Sequence, residues 1–130
     1  MWSHYAENHT GVCLEFATLD DPLYRAVAVH STHQRPVYRP LDPNRNELAE
    51  RVLLHKADMW SYEKEWRYVQ FRDGPERVQL PHNALTSIIL GALVSSCFAQ
   101  AVTDLVKKRS ITVDIKRAII DPKAFELRVE

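Results

Sequence analysis

The sequence predicts an α+β fold, a mostly antiparallel or mixed sheet of about six to seven strands covered by two main helices. Three observations carry that expectation. Short runs in which apolar and polar residues alternate recur from Val12 to Val129, the period of a half-buried strand. Only two stretches, one after Asn44 and one after Ser95, place apolar residues at helical spacing. Turn chemistry at Asp20-Asp21-Pro22 and Asp73-Gly74 breaks the strand-like runs apart. At 130 residues, 45% apolar and 26% charged, the chain has the size and composition of a single domain spanning residues 1–130.

Taken in order, residues 2–8 are too few for an independent helix and form at most one turn, closed by Gly11. Val12, Leu14 and Phe16 alternate with Cys13 and Glu15 as a first strand. Tyr24 to His30 reads as a second strand, joined to the first as a hairpin through Pro22. Pro36, Pro40 and Pro43 make Ser31 to Asn46 an irregular loop. The first helix then starts near Asn44 or Asn46, with Glu47 and Glu50 favoured by the dipole. On its wheel Lys56 falls in the middle of an apolar arc with Leu48, Val52 and Trp60. Trp66 to Phe71 and Arg77 to Leu80 read as a hairpin about Gly74, and Ser87 to Leu90 as a strand ended by Gly91. Ser95 or Ser96 caps the second helix, whose stripe is Cys97, Phe98, Ala101, Val102 and Leu105. Two last alternating runs follow, through Ile111, Val113 and Ile115, then Phe125, Leu127 and Val129.

Composition excludes several function classes. Seventeen basic residues balance seventeen acidic ones, leaving no global field for nucleic acid or an anionic membrane. The longest apolar stretch free of charge, Ala84 to Val102, is broken by six polar or glycine positions and reads as strand, turn and helix instead of a membrane span. MWSHYAEN lacks the basic and apolar regions of a signal peptide. Cys13 and Cys97 make no disulfide framework and fit a reducing cytoplasm as packing residues. The histidine pairs His4/His9 and His30/His33 lack companion ligands, so no metal site is expected.

The densest chemical constellation is Lys56-Ala-Asp-Met-Trp60-Ser-Tyr-Glu63-Lys-Glu65-Trp66-Arg67. Glu63, Glu65 and Arg67 share a face on an extended segment, and a buried Lys56 needs an acidic partner. This reads as a polar pocket lined by Tyr5, Glu15, Lys56, Trp60, Glu63, Glu65 and Arg67, or as an ion-pair cluster that locks a helix to the sheet. A second group, His4 and Tyr5 with His9 and Glu15, reads as acid–base chemistry or as an aromatic plug on the sheet.

MWSHYAENHTGVCLEF, KADMWSYEKEWRYV and LTSIILG, in that order, resemble the bacterial domain-of-unknown-function family 2971 along nearly the whole chain. The likeness lands on Trp2, Tyr5, Gly11, Phe16, Lys56, Trp60, Glu63, Glu65, Arg67 and Gly91. It implies a bacterial cytoplasmic protein of unknown function, here a shortened form lacking an N-terminal portion and carried on a mobile element. Glu63-Lys-Glu65 is also similar to the catalytic strand of ADP-ribosyltransferase-like domains, which implies Glu65 as a catalytic residue acting on NAD. Three readings follow: a small-ligand-binding or interaction domain, which is preferred, a nucleotide- or NAD-handling enzyme, and a non-catalytic oligomeric remnant. No cofactor is assigned. The expected partners are a second copy in a homodimer and a small-molecule ligand, with no membrane and no nucleic acid.

Overall fold

The computed structural model describes residues 2–37, 41, 51–69, 77–124 and 126–130. Among them are helices and eight strands, so the α+β class holds. The strands do not form one sheet of six or seven. They make a four-stranded sheet and two two-stranded ones, divided between two compact units, Met1–Asp20 with Gln79–Glu130 and Asp21–Val78.

The first unit is a mixed sheet ordered β1 (Val12–Phe16), β6 (Leu85–Leu90), β7 (Asp114–Ile120), β8 (Leu127–Val129). β6 runs antiparallel to β1, with Val12 opposite Leu90 and Glu15 opposite Ser87. It runs parallel to β7, and β7 is antiparallel to β8. Ser87, Ile88, Ile89 and Leu90 are all buried because β6 is central and covered on both faces. The long helix Ser96–Lys107 supplies one cover. Ile88, Leu90, Val94, Val102 and Val113 form the core with Val12, Ala99 and Val106 against them, each buried aliphatic side chain contributing about 1.5–3 kcal/mol.

Ser95 is the cap expected of this helix, its side chain accepting from the Phe98 N–H at 3.2 Å. The stripe is misplaced. Phe98 is 46% and Leu105 65% exposed, Cys97 is exposed, and the buried face runs through Ala99, Val102 and Val106. It is turned by about one residue, roughly 100°, from the expected one. Small side chains win that face because the helix lies close on a sheet already filled by Ile88 and Leu90. Cys13 is exposed too, so neither cysteine is a packing residue. The C-terminal strands also differ: the first begins at Asp114. Ile120 faces Leu127 across the ladder while Ile115 sits an odd number of residues away, so the apolar side chains of the two strands do not share one face. Phe125 lies outside the described residues.

The second unit is built of short ladders. β2 (Val27–Ala28) pairs antiparallel with β5 (Trp66–Arg67), and β3 (His30–Thr32) parallel with β4 (His55–Ala57). Hence the expected hairpin through Pro22 does not form. β1 takes its hydrogen bonds from β6, and Leu23–Arg25 is a 3-10 turn. The Asn44/Asn46 cap, Glu47, Leu48 and Glu50 of the first helix, and the Asp73-Gly74 turn, lie outside the described residues. Residues 51–53 are helical and the helix stops there. Lys56 is therefore on strand β4, not in a helical arc. The Leu54 carbonyl accepts from the His30 N–H at 2.7 Å and the Leu53 carbonyl from Arg67 Nη1. Both are carbonyls that a continuing helix would have needed.

The N-terminal turn Trp2–Tyr5 leads into Glu7, Asn8 and His9, all left-handed at φ 44°, 54° and 71°. Such residues cost about 1–2 kcal/mol each, offset here by backbone docking. The Gly91 N–H donates to the Gly11 carbonyl and the Leu93 N–H to the His9 carbonyl, both at 2.9 Å. A Cβ on Gly91 would lie inside the His9 carbonyl and 2.8 Å from the Gly11 oxygen. Gly91→Ala is expected to lower unfolding free energy by at least ~2 kcal/mol in urea titration.

Candidate functional site

The second unit gathers its charges around Lys56. The 3-10 helix Asp58–Glu63 follows β4 directly and ends at Lys64, which is left-handed at φ 45°. This reversal lets Glu63, at the helix end, and Glu65, at the entry to β5, both reach back to one ammonium. Lys56 Nζ donates to Glu63 Oε2 and, at 2.9 Å, to Glu65 Oε2. Arg67 Nε donates to Glu65 Oε1 at 2.6 Å while its Nη1 holds the Leu53 carbonyl. Glu63 is 6% exposed. The Lys56 ammonium also stands 5.4 Å from the centre of the Trp60 ring, which is tilted against Tyr62. Lysine and glutamates thus meet as expected, by way of a left-handed turn and not one extended face.

Two cations and two carboxylates balance in this network. The Arg67 guanidinium first, and then the Lys56 ammonium, hold the Glu65 carboxyl down at about 2. Glu63, followed by Glu65, raises Lys56 above the usual lysine value. A carboxylate so stabilised is a poor proton acceptor at neutral pH.

Beside the network a groove of about 850 Å³ opens between the 32–37 segment, the 51–52 turn and β4. Thr32, His33, Gln34, Arg35, Arg51, His55 and Lys56 give it polar groups, and Pro36, Val37, Val52 and Ala57 apolar ones. Lys56 alone of the sequence-derived site residues lines it. Arg35, Arg51 and His55 were missed as site residues. One signal was available: no Asp or Glu occurs between Arg25 and Asp42, so cations on that loop lack local acidic partners.

The other candidates lie in the first unit. Tyr5 is 69% exposed on the N-terminal turn. Glu15 forms a separate cluster, accepting from the buried Ser87 hydroxyl and from Lys116 Nζ at 2.6 Å. Strand register explains it, since Glu15 stands opposite Ser87 and Lys116 opposite Ile89, one step along the same face. Lys116, and then Ser87, lower the Glu15 pKa. Among the described residues no group of three or more His, Cys, Asp or Glu is placed to hold a metal ion, and no helix is long and apolar enough to cross a membrane.

Comparison with protein families matches residues 1–68 to the family described as protein of unknown function (DUF2971). The match takes in the whole Lys56 network and groove, but ends before the LTSIILG stretch. No curated protein and no solved structure matches the chain.

The folded Glu65 pKa of about 2 lies below the ordinary 4.5. Glu65 therefore stabilises the fold above pH 4.5 and loses that contribution as pH falls towards 2. Unfolding followed from pH 7 to pH 2 is expected to show Glu65→Gln less stable at pH 7, with a shallower acid decline than the parent.

Proposed function

The chain belongs to the DUF2971 family of proteins of unknown function, and we propose that it binds a small ligand in the groove beside Lys56. The carrying observation is the groove itself. About 850 Å³ lies within the range of small-molecule sites, and its walls combine apolar surface with convergent donors. The Lys56–Glu63–Glu65–Arg67 network supports the same reading as a scaffold. It fixes β4, one wall of the groove, through charged hydrogen bonds from Lys56 to Glu63 and to Glu65, the latter held in turn by Arg67. Trp60, Glu63, Glu65 and Arg67 then act by positioning Lys56, and Tyr5 and Glu15 remain candidates on the other unit.

Transfer chemistry on NAD with Glu65 as the catalytic residue is the reading less favoured. Both Glu65 oxygens are engaged, Oε1 by Arg67 and Oε2 by Lys56, and Glu65 does not line the groove. Ligand-observed NMR with a mixture of metabolites is expected to reveal binders that Ala57→Trp, which fills the groove, displaces. Binding indifferent to Ala57→Trp, or release of nicotinamide from NAD that Glu65→Gln abolishes, would overturn the assignment.

The same proposal places the protein in a bacterial cytoplasm, on a mobile element, as a homodimer. Exposed Ile119, Ile120 and Val129 beside the edge strand β8 support self-association. Sedimentation is expected to give twice the 15.1 kDa chain mass, and a concentration-independent single-chain mass would remove the dimer.

A further inference from the structure

We propose that Arg67 sets the aperture of the groove, clamping its 51–52 wall to the ion network that holds its β4 wall. The inference rests on the groove being the ligand site and adds the residue that controls its width. The two walls follow one another in the chain, Arg51 and Val52 on one and His55, Lys56 and Ala57 on the other. Leu53 and Leu54 join them. Helical structure ends at residue 53, so the carbonyls of this joint need donors from elsewhere in the unit. The Leu54 carbonyl accepts from the His30 N–H at 2.7 Å, on the β4 side. The Leu53 carbonyl, one residue past Val52, accepts from Arg67 Nη1.

Arg67 itself stands on neither wall. It reaches over from β5, where it lies opposite Val27, and its Nε donates to Glu65 Oε1 at 2.6 Å. Glu65 Oε2 in turn accepts from Lys56 Nζ at 2.9 Å. Leu53, Arg67, Glu65 and Lys56 therefore form a circuit that leaves one wall and returns on the other. Its side chains are all partly buried, which strengthens such contacts against competition from water. A planar guanidinium holds its two acceptors in one fixed relation, whereas an ammonium is a point charge on a flexible stem. Lysine at this position would keep the attraction to Glu65 and release the Leu53 carbonyl. The joint between the walls, more than the charge balance, is what requires arginine.

The test places nitroxide labels at Val37 and Val52, both exposed on the groove, with the exposed Cys13 and Cys97 replaced by serine. Electron paramagnetic resonance then reads the label separation in the full chain, without any ligand. The parent is expected to give one narrow distribution. Arg67→Gln and Arg67→Lys should each raise a wider population about tenfold or more, the worth of one hydrogen bond to a charged group. In urea, Arg67→Lys should regain stability that Arg67→Gln loses, because only the lysine keeps the Glu65 pair. A distribution in Arg67→Lys as narrow as the parent's overturns the proposal, since charge alone would then suffice. Broadening in Arg67→Lys with no stability regained overturns it too, because the unit would simply have loosened around a lost helix cap. Should neither variant fold, NMR of the parent chain decides. Separate Arg67 Nη proton signals, with a scalar coupling to the Leu53 carbonyl carbon, are expected there, and one averaged signal overturns the clamp. Each of these failures leaves the groove a ligand site, which Ala57→Trp tests separately.

Discussion

A carboxylate at 6% exposure, as in Glu63, is tolerated in a fold only when a cation is buried with it, since desolvating it unpaired costs several kcal/mol. The unit from Asp21 to Val78 is arranged around that requirement. Lys56 must reach Glu63, so the chain leaves the helix after residue 53 and runs extended through His55 and Lys56. That extended segment pairs with His30–Thr32, and the pairing forms one wall of the groove. Glu65 and Arg67 complete the charge balance and hold the Leu53 carbonyl where the helix ends. The short ladders of this unit contribute few hydrogen bonds each. Ionic contacts take over the task that a longer sheet or larger apolar core performs elsewhere.

The two units use opposite physics, which explains how legible each was. β6 and the long helix were readable because burial is their only demand: Ser87 to Leu90 is continuous and apolar after the serine, and Ser95 announces its helix with a cap. Which face of that helix turns inward was not readable, because Phe98 and Leu105 outweigh Ala99 in hydrophobicity while Ala99 fits the space. The attraction between Lys56 and the glutamates was legible from charge and spacing alone. Its geometry was not. Helical periodicity ran on through residue 56, whereas a tertiary hydrogen bond from His30 and an ion pair ended the helix early. The strand partners of β1 and β2 were hidden for a similar reason. Nearby turn residues favoured a local hairpin, and the observed pairs are separated by tens of residues.

The candidate site shows the same division. Lys56 stood out because a charge among apolar neighbours is conspicuous in any periodicity. Arg35 and Arg51 did not, since single arginines on a proline-containing loop and a helical turn are ordinary surface residues until the fold brings them to one groove. Glu15 was grouped with Lys56 through its residue type. Strand register instead assigns it Ser87 and Lys116 as partners.

The pairing of β1 with β6 also bears on synthesis. Val12–Phe16 leaves the ribosome first, yet Leu85–Leu90, its hydrogen-bonding neighbour, follows after the entire Asp21–Val78 unit has been made. At about 5–20 residues per second the delay lasts several seconds, long enough for that unit to acquire its ion pairs. Meanwhile the nascent β1 presents Val12, Leu14 and Phe16 with no strand beside it, a naked edge open to chaperones or to other emerging chains. Vectorial production thus leaves the amino-terminal strand as the last part of an early segment to find its place, waiting on the far half of its own message.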